Sequence, residues 1–481
     1  MAKRLIFILA LHSFCSGQAV LNYNLPLDRP YTLRNTTPHP LEWEFARQIR
    51  SASPLSFIFP RPCVSALDSG KVCGDLHGFR FLDTSRAMSV SPIGGYEYRY
   101  SEEHVNAFDG GLLATGASGP VSFYLDARMF TETHERFDHP SFDREFVERQ
   151  DEKASGTVAY TSYSRFRSNL SYDMSWGRLT VAHDAAHWGP GLFSNLAFNA
   201  NAIPFKHLTF TTHLGPVSVQ SLYGQLALDT NWETDATGDT RSIYAHRYEW
   251  RTTGNLVLGI SEQLVIHKRE APFAFVPIVP LYIAKAVENE HLNNGNIAGD
   301  AAYRIPGVGL LYSEFLIDDL QSPTALFNDY WGNKWGWMLG GHWVGEWAGR
   351  VVGCVGEYSR VEPWVYTHKE PRTAQTAHFN HPLGNPLGPN SQAVILKGYL
   401  RDGNSWYLSS RIDLTWKGTD PGSSIGDIQR EEAKKTFLAG VEAPDWMVRP
   451  YVWYRWNQVA AIAEVGIGTR IETRLGVQLQ Y

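Results

Sequence analysis

Glu314, Asp318 and Asp319 come nearest, by type and spacing, to groups that could do chemistry. They stand in the run Tyr312 to Asp319, and two carboxylates flanking one bond are the machinery of glycoside hydrolysis. On an extended strand, however, Glu314 and Asp318 lie two steps apart on one face, which is also what a polar wall needs. The chain has no Gly-x-Ser-x-Gly, no His-Glu-x-x-His, no Walker A loop and no dinucleotide-binding glycine loop. Its histidines are scattered rather than spaced as metal ligands. These observations predict no catalytic residue, no metal and no cofactor, so the chain does not read as an enzyme.

Of the four cysteines, Cys63 and Cys73 lie close in sequence. In an oxidising compartment they are expected to form a disulfide, closing a loop that contributes about 2–3 kcal/mol in the chain-entropy model. Cys354, within Val351 to Val355, reads as a buried or lipid-facing thiol.

Strands must position these side chains. Between Gly119 and Thr131, Val121, Phe123, Leu125, Ala127 and Met129 fall on one face, with Ser122, Tyr124, Asp126 and Arg128 on the other. From Asn404 to Thr415, Trp406, Leu408, Ile412 and Leu414 oppose Tyr407, Ser409, Arg411 and Asp413. Such strands suit either a membrane barrel with a wet lumen or a soluble sandwich with an oily core.

Connection lengths separate the two. Tight glycine turns at Ser175–Arg178, His213–Pro216, Thr252–Asn255, Glu346–Gly349 and Arg401–Asn404 alternate with long polar connections. The latter are Glu132–Ala154, Ala227–Thr240, Asn289–Ala302, Leu320–Asn333, Thr367–Gln392 and Lys417–Glu432. A barrel with one periplasmic rim and one outer rim sorts its loops in this way; a sandwich has no reason to. The expected fold is all-β, a transmembrane antiparallel β-barrel of about 18 strands.

Both ends of the chain agree. The last residues place Leu475, Val477, Leu479 and the final Tyr481 on alternate positions, as in a terminal strand that pairs with the first and closes a cylinder. At the start, Lys3 and Arg4 precede the apolar run Leu5 to Leu11 and a small-residue site ending at Ala19. Residues 1–19 therefore read as a secretory signal peptide. No later run has the length of a spanning helix. Ala271 to Val287 comes nearest, but Pro272, Pro277 and Pro280 predict that it forms no regular helix.

Three regions follow: a signal peptide at 1–19, a periplasmic segment at 20–88 and an outer-membrane barrel at 89–481. Within 20–88, Pro40 to Arg50 reads as a short helix, with Leu41, Phe45 and Ile49 on one face. Aromatic residues make up 13% of the chain and charged residues only 19%, as interfacial girdles of Trp and Tyr require. A net charge of −6 gives no cause to expect nucleic acid. The expected partners are outer-membrane lipids and the barrel-assembly machinery of a Gram-negative bacterium.

Trp188, Gly189, Pro190 and Gly191 should force an abrupt change of direction near the outer rim. The following residues, Leu192 to Pro204, are too apolar for a freely solvated loop. They are expected to fold inward and help to occlude the lumen, with Trp188 packed at the bend and Asn195, Asn199 and Asn201 supplying hydrogen bonds. Two loops offer aromatic faces beside polar groups, as sugars need: Asp229–Glu233 with Trp232, and Phe327–Lys334 with Tyr330 and Trp331.

Three segments together resemble the capsule assembly Wzi family: His187 to Pro204, Tyr312 to Asp319, and Glu357 to Val361 running on to Thr367, His368 and His381 to Pro389. The resemblance covers roughly residues 85–481. It implies an outer-membrane barrel of 18 strands with an N-terminal periplasmic helical element, and a lectin role in attaching or organising capsular polysaccharide at the cell surface. His381 and Asn385 then join Trp232, Tyr330 and Trp331 as candidate glycan contacts. The chain departs from the family in its shorter N-terminal helical part, its cysteine loop, and Asn199, Ala200 and Asn201 where adjacent asparagines would stand. A diffusion porin or sugar-uptake channel is the alternative on the same architecture.

Overall fold

The computed structural model describes residues 64–65, 71–75, 78–82, 86–100, 104–134, 151–155, 158–227, 241–252, 255–267, 271–277, 279–287, 293–305, 308–320, 322, 326–368, 374–402, 406–427, 434–441, 443–456 and 459–479. The signal peptide, the helix expected over Pro40 to Arg50, Cys63 with its bridge to Cys73, Trp232 and Tyr481 lie outside the described residues.

Eighteen long strands carry the fold. They are β1 (Arg86–Tyr100), β2 (His104–Ser118), β3 (Val121–His134), β4 (Val158–Met174), β5 (Gly177–Asp184) and β6 (Phe205–Leu214). Next come β7 (Val217–Leu226), β8 (Arg241–Arg251), β9 (Leu256–His267), β10 (Asn293–Ile305), β11 (Gly309–Asp319) and β12 (Lys334–Trp347). The last are β13 (Arg350–Val361), β14 (Ser391–Asp402), β15 (Trp406–Lys417), β16 (Asp445–Trp456), β17 (Val459–Gly468) and β18 (Ile471–Leu479). Each pairs with the next, and β18 returns to β1, with Leu475 opposite Tyr98 and Val477 opposite Tyr96. The result is a closed antiparallel barrel of 18 strands, in which the last long strand takes up the edge of the first. The short strand Gly78–Leu82 pairs with the start of β1, at Ala87 to Val90.

The chain forms two compact units, residues 1–184 with 452–465 and 471–481, and residues 185–451 with 466–470. In the first, alternation inverts the rule of soluble proteins. Asp126 is 0% exposed and Arg128 is buried, whereas Met129 is 74% exposed and Phe108, Phe166 and Leu170 are open. Burying charges is costly unless they are paired. Arg128 Nε accordingly meets Asp126 Oδ1 at 2.7 Å, and Arg474 Nε meets Glu97 Oε1 at 2.9 Å. Polar groups thus face inward and oily ones outward, the arrangement of a wall whose outer solvent is lipid.

The second unit repeats this inversion. On β11, Tyr312, Glu314, Leu316 and Asp318 are buried, while Leu311 is exposed. Turns such as Gly215–Pro216 and Ala348–Gly349 alternate along the chain with longer connections such as 185–204, 320–333 and 362–390. Trp250 and Trp347 are exposed beside short turns, as interfacial tryptophans are.

Two sequence expectations need correction. Asn293 to Ala302 was expected within a loop, but it forms most of β10. Its Asn and Gly residues are poor strand formers, yet Asn294, Asn296 and Asp300 point to the polar inner face, and that context outweighs propensity. Between Ala271 and Val287, a 3₁₀ turn spans Pro272–Phe275 and a regular helix, α1, spans Leu281–Val287. The prolines prevent a spanning helix, but Pro280 sits just before the first turn, where a missing N–H costs nothing.

Candidate functional site

The connection 185–204 leaves β5 and folds onto the inner face of the wall, where nearly every residue is buried. Gly189 makes the bend with φ +96°, a conformation that side chains rarely adopt. A Cβ there would also stand 3.2 Å from Asn195 Oδ1 and from a Glu314 carboxylate oxygen. Beyond the bend the chain doubles back. The Trp188 amide donates to the Phe198 carbonyl at 3.2 Å, and the two rings meet edge to face at 4.9 Å. Trp188 is 1% exposed and packs with Phe198, Phe205, Leu222, Ile243, Val265 and Leu383. Burial of such a ring contributes several kcal/mol, on the order of 3–5 by the usual cost of truncating it.

An inward segment of irregular backbone must satisfy its own amides. Two buried carboxylates do much of this. Glu314 on β11 accepts the Leu196 amide at 2.7 Å and the Ala197 amide at 3.0 Å. Glu357 on β13 accepts the amides of Leu192 and Phe193, at 2.5 and 3.1 Å, and the Tyr312 hydroxyl at 2.9 Å. Successive N–H groups aimed at one carboxyl group form a nest that satisfies several orphan amides at once. The Asn195 side chain accepts the Gly191 amide at 2.6 Å, and Asn199 Nδ2 donates to the Phe193 carbonyl at 2.9 Å. Asn201 is exposed and contributes its backbone, donating its amide to Asn199 Oδ1 at 2.9 Å.

A second connection, 362–390, interlocks with the first. Tyr366 has φ +68°, strained for a tyrosine, and its amide donates to Asp318 Oδ2 at 2.6 Å. Its hydroxyl donates to the Leu196 carbonyl at 2.7 Å and accepts the Asn385 amide at 3.1 Å. Burial, with Glu314 and Asp318 nearby, pushes the Tyr366 phenol well above the ordinary tyrosine range, so it stays protonated as a donor. The Asn199 amide completes the interlock by donating to the Leu383 carbonyl at 2.8 Å. The three segments that carry the family resemblance are thus brought together in space.

Glu314 and Asp318 share the inner face of β11, but both carboxylates accept backbone amides from the two connections. Their arrangement is that of anchors. Among the described residues no group of His, Cys, Asp and Glu is placed to hold a metal ion. Tyr330 and Trp331 are half-buried neighbours with rings 5.7 Å apart, beside the exposed Asn328 and Asp329. His381 is half-buried in a two-residue ladder with Ala377 and His378. Asn385 lies buried inside the interlock, its side-chain oxygen accepting the Leu387 amide at 3.0 Å. Leu475 and Val477 face outward on β18.

Glu357 and Tyr366 were not singled out from sequence as anchors. Their partners lie 164 and 170 residues away, and spacing along the chain carries no trace of such a contact.

No protein-family model and no curated protein matches the sequence. Among solved structures the chain resembles Wzi, an outer membrane protein involved in group 1 capsule assembly in Escherichia coli and described as a carbohydrate-binding β-barrel. Identity is 12%, covering 81% of this chain and 84% of that one, with a TM-score of 0.53. Two Pseudomonas aeruginosa barrels are more distant. OccK5 has 13% identity over 82% of this chain and 97% of its own, with a TM-score of 0.42. OccK2, solved with glucuronate, has 11% identity over 84% and 98%, with a TM-score of 0.41. At such identities the likeness to Wzi is one of fold: this chain is an antiparallel barrel of the outer-membrane type.

Proposed function

We propose that this chain is a non-enzymatic outer-membrane barrel that is closed to diffusion and holds or organises capsular polysaccharide at the surface of a Gram-negative cell. The observation that carries this reading is the interlock of 185–204 with 362–390. Two inward connections whose amides are pinned by buried carboxylates fill the space they fold into with fixed backbone, which favours a closed lumen over a diffusion channel. The resemblance of three segments to the Wzi family and the fold shared with a carbohydrate-binding barrel support the polysaccharide role. Tyr330 and Trp331, and Trp232 in the connection 227–240, would offer stacking faces to sugar rings.

Two measurements test the reading. In planar bilayers the intact protein should show no steady conductance, and replacing 188–203 with a short Gly-Ser linker should open one while heat-modifiable gel mobility is kept. Deleting the gene in its host should release capsule from the cell into the medium. A porin is the second reading, favoured by the ion-paired, water-compatible inner residues Arg99, Arg128 and Glu132. Equal conductance of intact and deleted protein would select it.

A further inference from the structure

The segment 271–287 covers the other side of the same wall. On β8 and β9, Ile243, Ala245 and Val265 face inward to Trp188. Tyr244, Leu264 and Ile266 face outward and are buried under Ala271, Ala274, Leu281 and Ala284. Strand register gives the level: Tyr244 stands opposite Leu264, His246 opposite Glu262, Tyr248 opposite Ile260 and Trp250 opposite Leu258. The covered patch therefore runs down the outer face to Tyr248. There the exposed Ile260 takes over, with Ile297 exposed across from Glu262.

The attachment is specific. The Ala271 amide donates to the Tyr244 hydroxyl at 2.9 Å, and the Tyr248 hydroxyl donates to the Pro277 carbonyl. The Leu281 amide, at the start of α1, donates to Glu262 Oε2 at 2.9 Å, while Glu262 Oε1 meets His246 Nδ1 at 3.1 Å. Facing outward at mid-strand, His246 and Glu262 would be expensive against lipid, and the segment shields them. On its open side it carries Phe273, Val276, Tyr282 and Ile283, the last two 73% and 54% exposed. From Ala271 to Val287 there is no acidic residue and one cation, Lys285.

We infer that residues 271–287 form a foot on the outer wall that inserts Phe273, Val276, Tyr282 and Ile283 into the lipid leaflet on the side of the long connections. The inference rests on the membrane-spanning reading. β8 has only 11 residues and β9 only 12, about the number a spanning strand needs. A foot lying over Tyr244 to Tyr248 is thus at bilayer depth rather than above it. Its apolar side is continuous with the lipid-facing Ile260 and Ile297. Its short helix lies against the wall with one face toward lipid, as interfacial helices do.

The test uses the full-length barrel in dioleoylphosphatidylcholine vesicles containing a small fraction of an acyl-chain diazirine analogue. After irradiation, trypsin cuts at Arg269 and Lys285 release residues 270–285, which hold all four side chains, as one peptide, and Ile260 lies on another. Lipid adducts at Phe273, Val276, Tyr282 or Ile283 are expected within about threefold of the yield at Ile260, since both sample the same boundary. A lower yield with Ile260 well labelled overturns the inference. An unlabelled Ile260 overturns the membrane-spanning reading itself. The double variant Tyr282→Asp with Ile283→Asp leaves Leu281 and Ala284 in place and should keep heat-modifiable mobility. In it, adducts at Phe273 and Val276 should drop by more than about threefold, and unchanged labelling would count against insertion.

Discussion

The Tyr312 hydroxyl donates to Glu357 Oε1 at 2.9 Å, tying β11 to the carboxylate that β13 presents to the inward connection. One strand thus supplies both Glu314, which holds Leu196 and Ala197, and the tyrosine that orients the second anchor for Leu192 and Phe193. The two carboxylates act as a pair of clamps along six residues of irregular backbone.

Replacing Glu314 by Gln should loosen one clamp. Gln puts an NH2 group where one carboxyl oxygen accepts an amide, and a buried amide left without its acceptor costs about 1–3 kcal/mol, so the Leu196 and Ala197 amides should exchange about 10- to 100-fold faster. Ladder amides of β11 should keep their protection. Glu357→Gln should do the same at Leu192 and Phe193, with Tyr312→Phe weaker at those positions. Unchanged exchange at Leu196 would show that the bonds do not hold the segment.

Trp188→Ala removes a buried ring from the cluster beneath the bend and should cost about 3–5 kcal/mol. Limited proteolysis of the folded variant should cut within 185–204 where the parent resists. Resistance equal to the parent's would mean that the ring is dispensable.

Gly189→Ala adds a Cβ at φ +96° and should cost about 1–3 kcal/mol through strain, read as a lower urea midpoint. Gly215→Ala is the control. Gly215 also has positive φ, at +61°, but a Cβ there meets open space, so its cost should be the smaller.

Tyr366 predicts a pH dependence. Its phenol is raised above the ordinary value of 10.0 in the folded chain, so its contribution to stability is fully present below pH 10.0. That contribution is lost as pH rises above 10.0, because the unfolded chain gives up the proton first. Urea unfolding compared at pH 9 and pH 11 (about one unit either side) should show a steeper loss for the parent than for Tyr366→Phe. Parallel losses would mean that the phenol is not held protonated. At neutral pH the Phe variant should lose about 1–3 kcal/mol, from the unpaired Leu196 carbonyl.

Cys354 is a free, exposed thiol on the outer side of β13. In vesicles a membrane-impermeant charged maleimide should label it at least about tenfold more slowly than an uncharged one, because the wall there faces lipid. Equal rates would place that face in water.

The alternation in Val121 to Met129, the spacing of tight turns and the apolar character of Leu192 to Pro204 were all legible along the chain. These are local signals: a period of two, a glycine at a turn, an oily stretch where a loop should be polar. They determined that the chain is made of antiparallel strands with unequal connections, and they marked residues 188–204 as unusual. They could not say which face of Val121 to Met129 is wet, since a period of two is the same for a sandwich and a barrel. Only closure of β18 on β1 decided that, by leaving Met129 outside and Asp126 within.

The same limit explains the anchors and the foot. Glu314 looked from sequence like half of a carboxylate pair or a piece of polar wall. It became a clamp because folding brings it to amides 117 and 118 residues away. Ala271 to Val287 looked like an apolar run broken by prolines. Its tertiary contacts turned the run into a foot, because Tyr244, Tyr248 and Glu262 on neighbouring strands supply the polar partners its broken backbone needs. Local pattern sets what each segment can be; the partner that satisfies a buried charge or an unpaired amide is set only when distant strands are brought side by side.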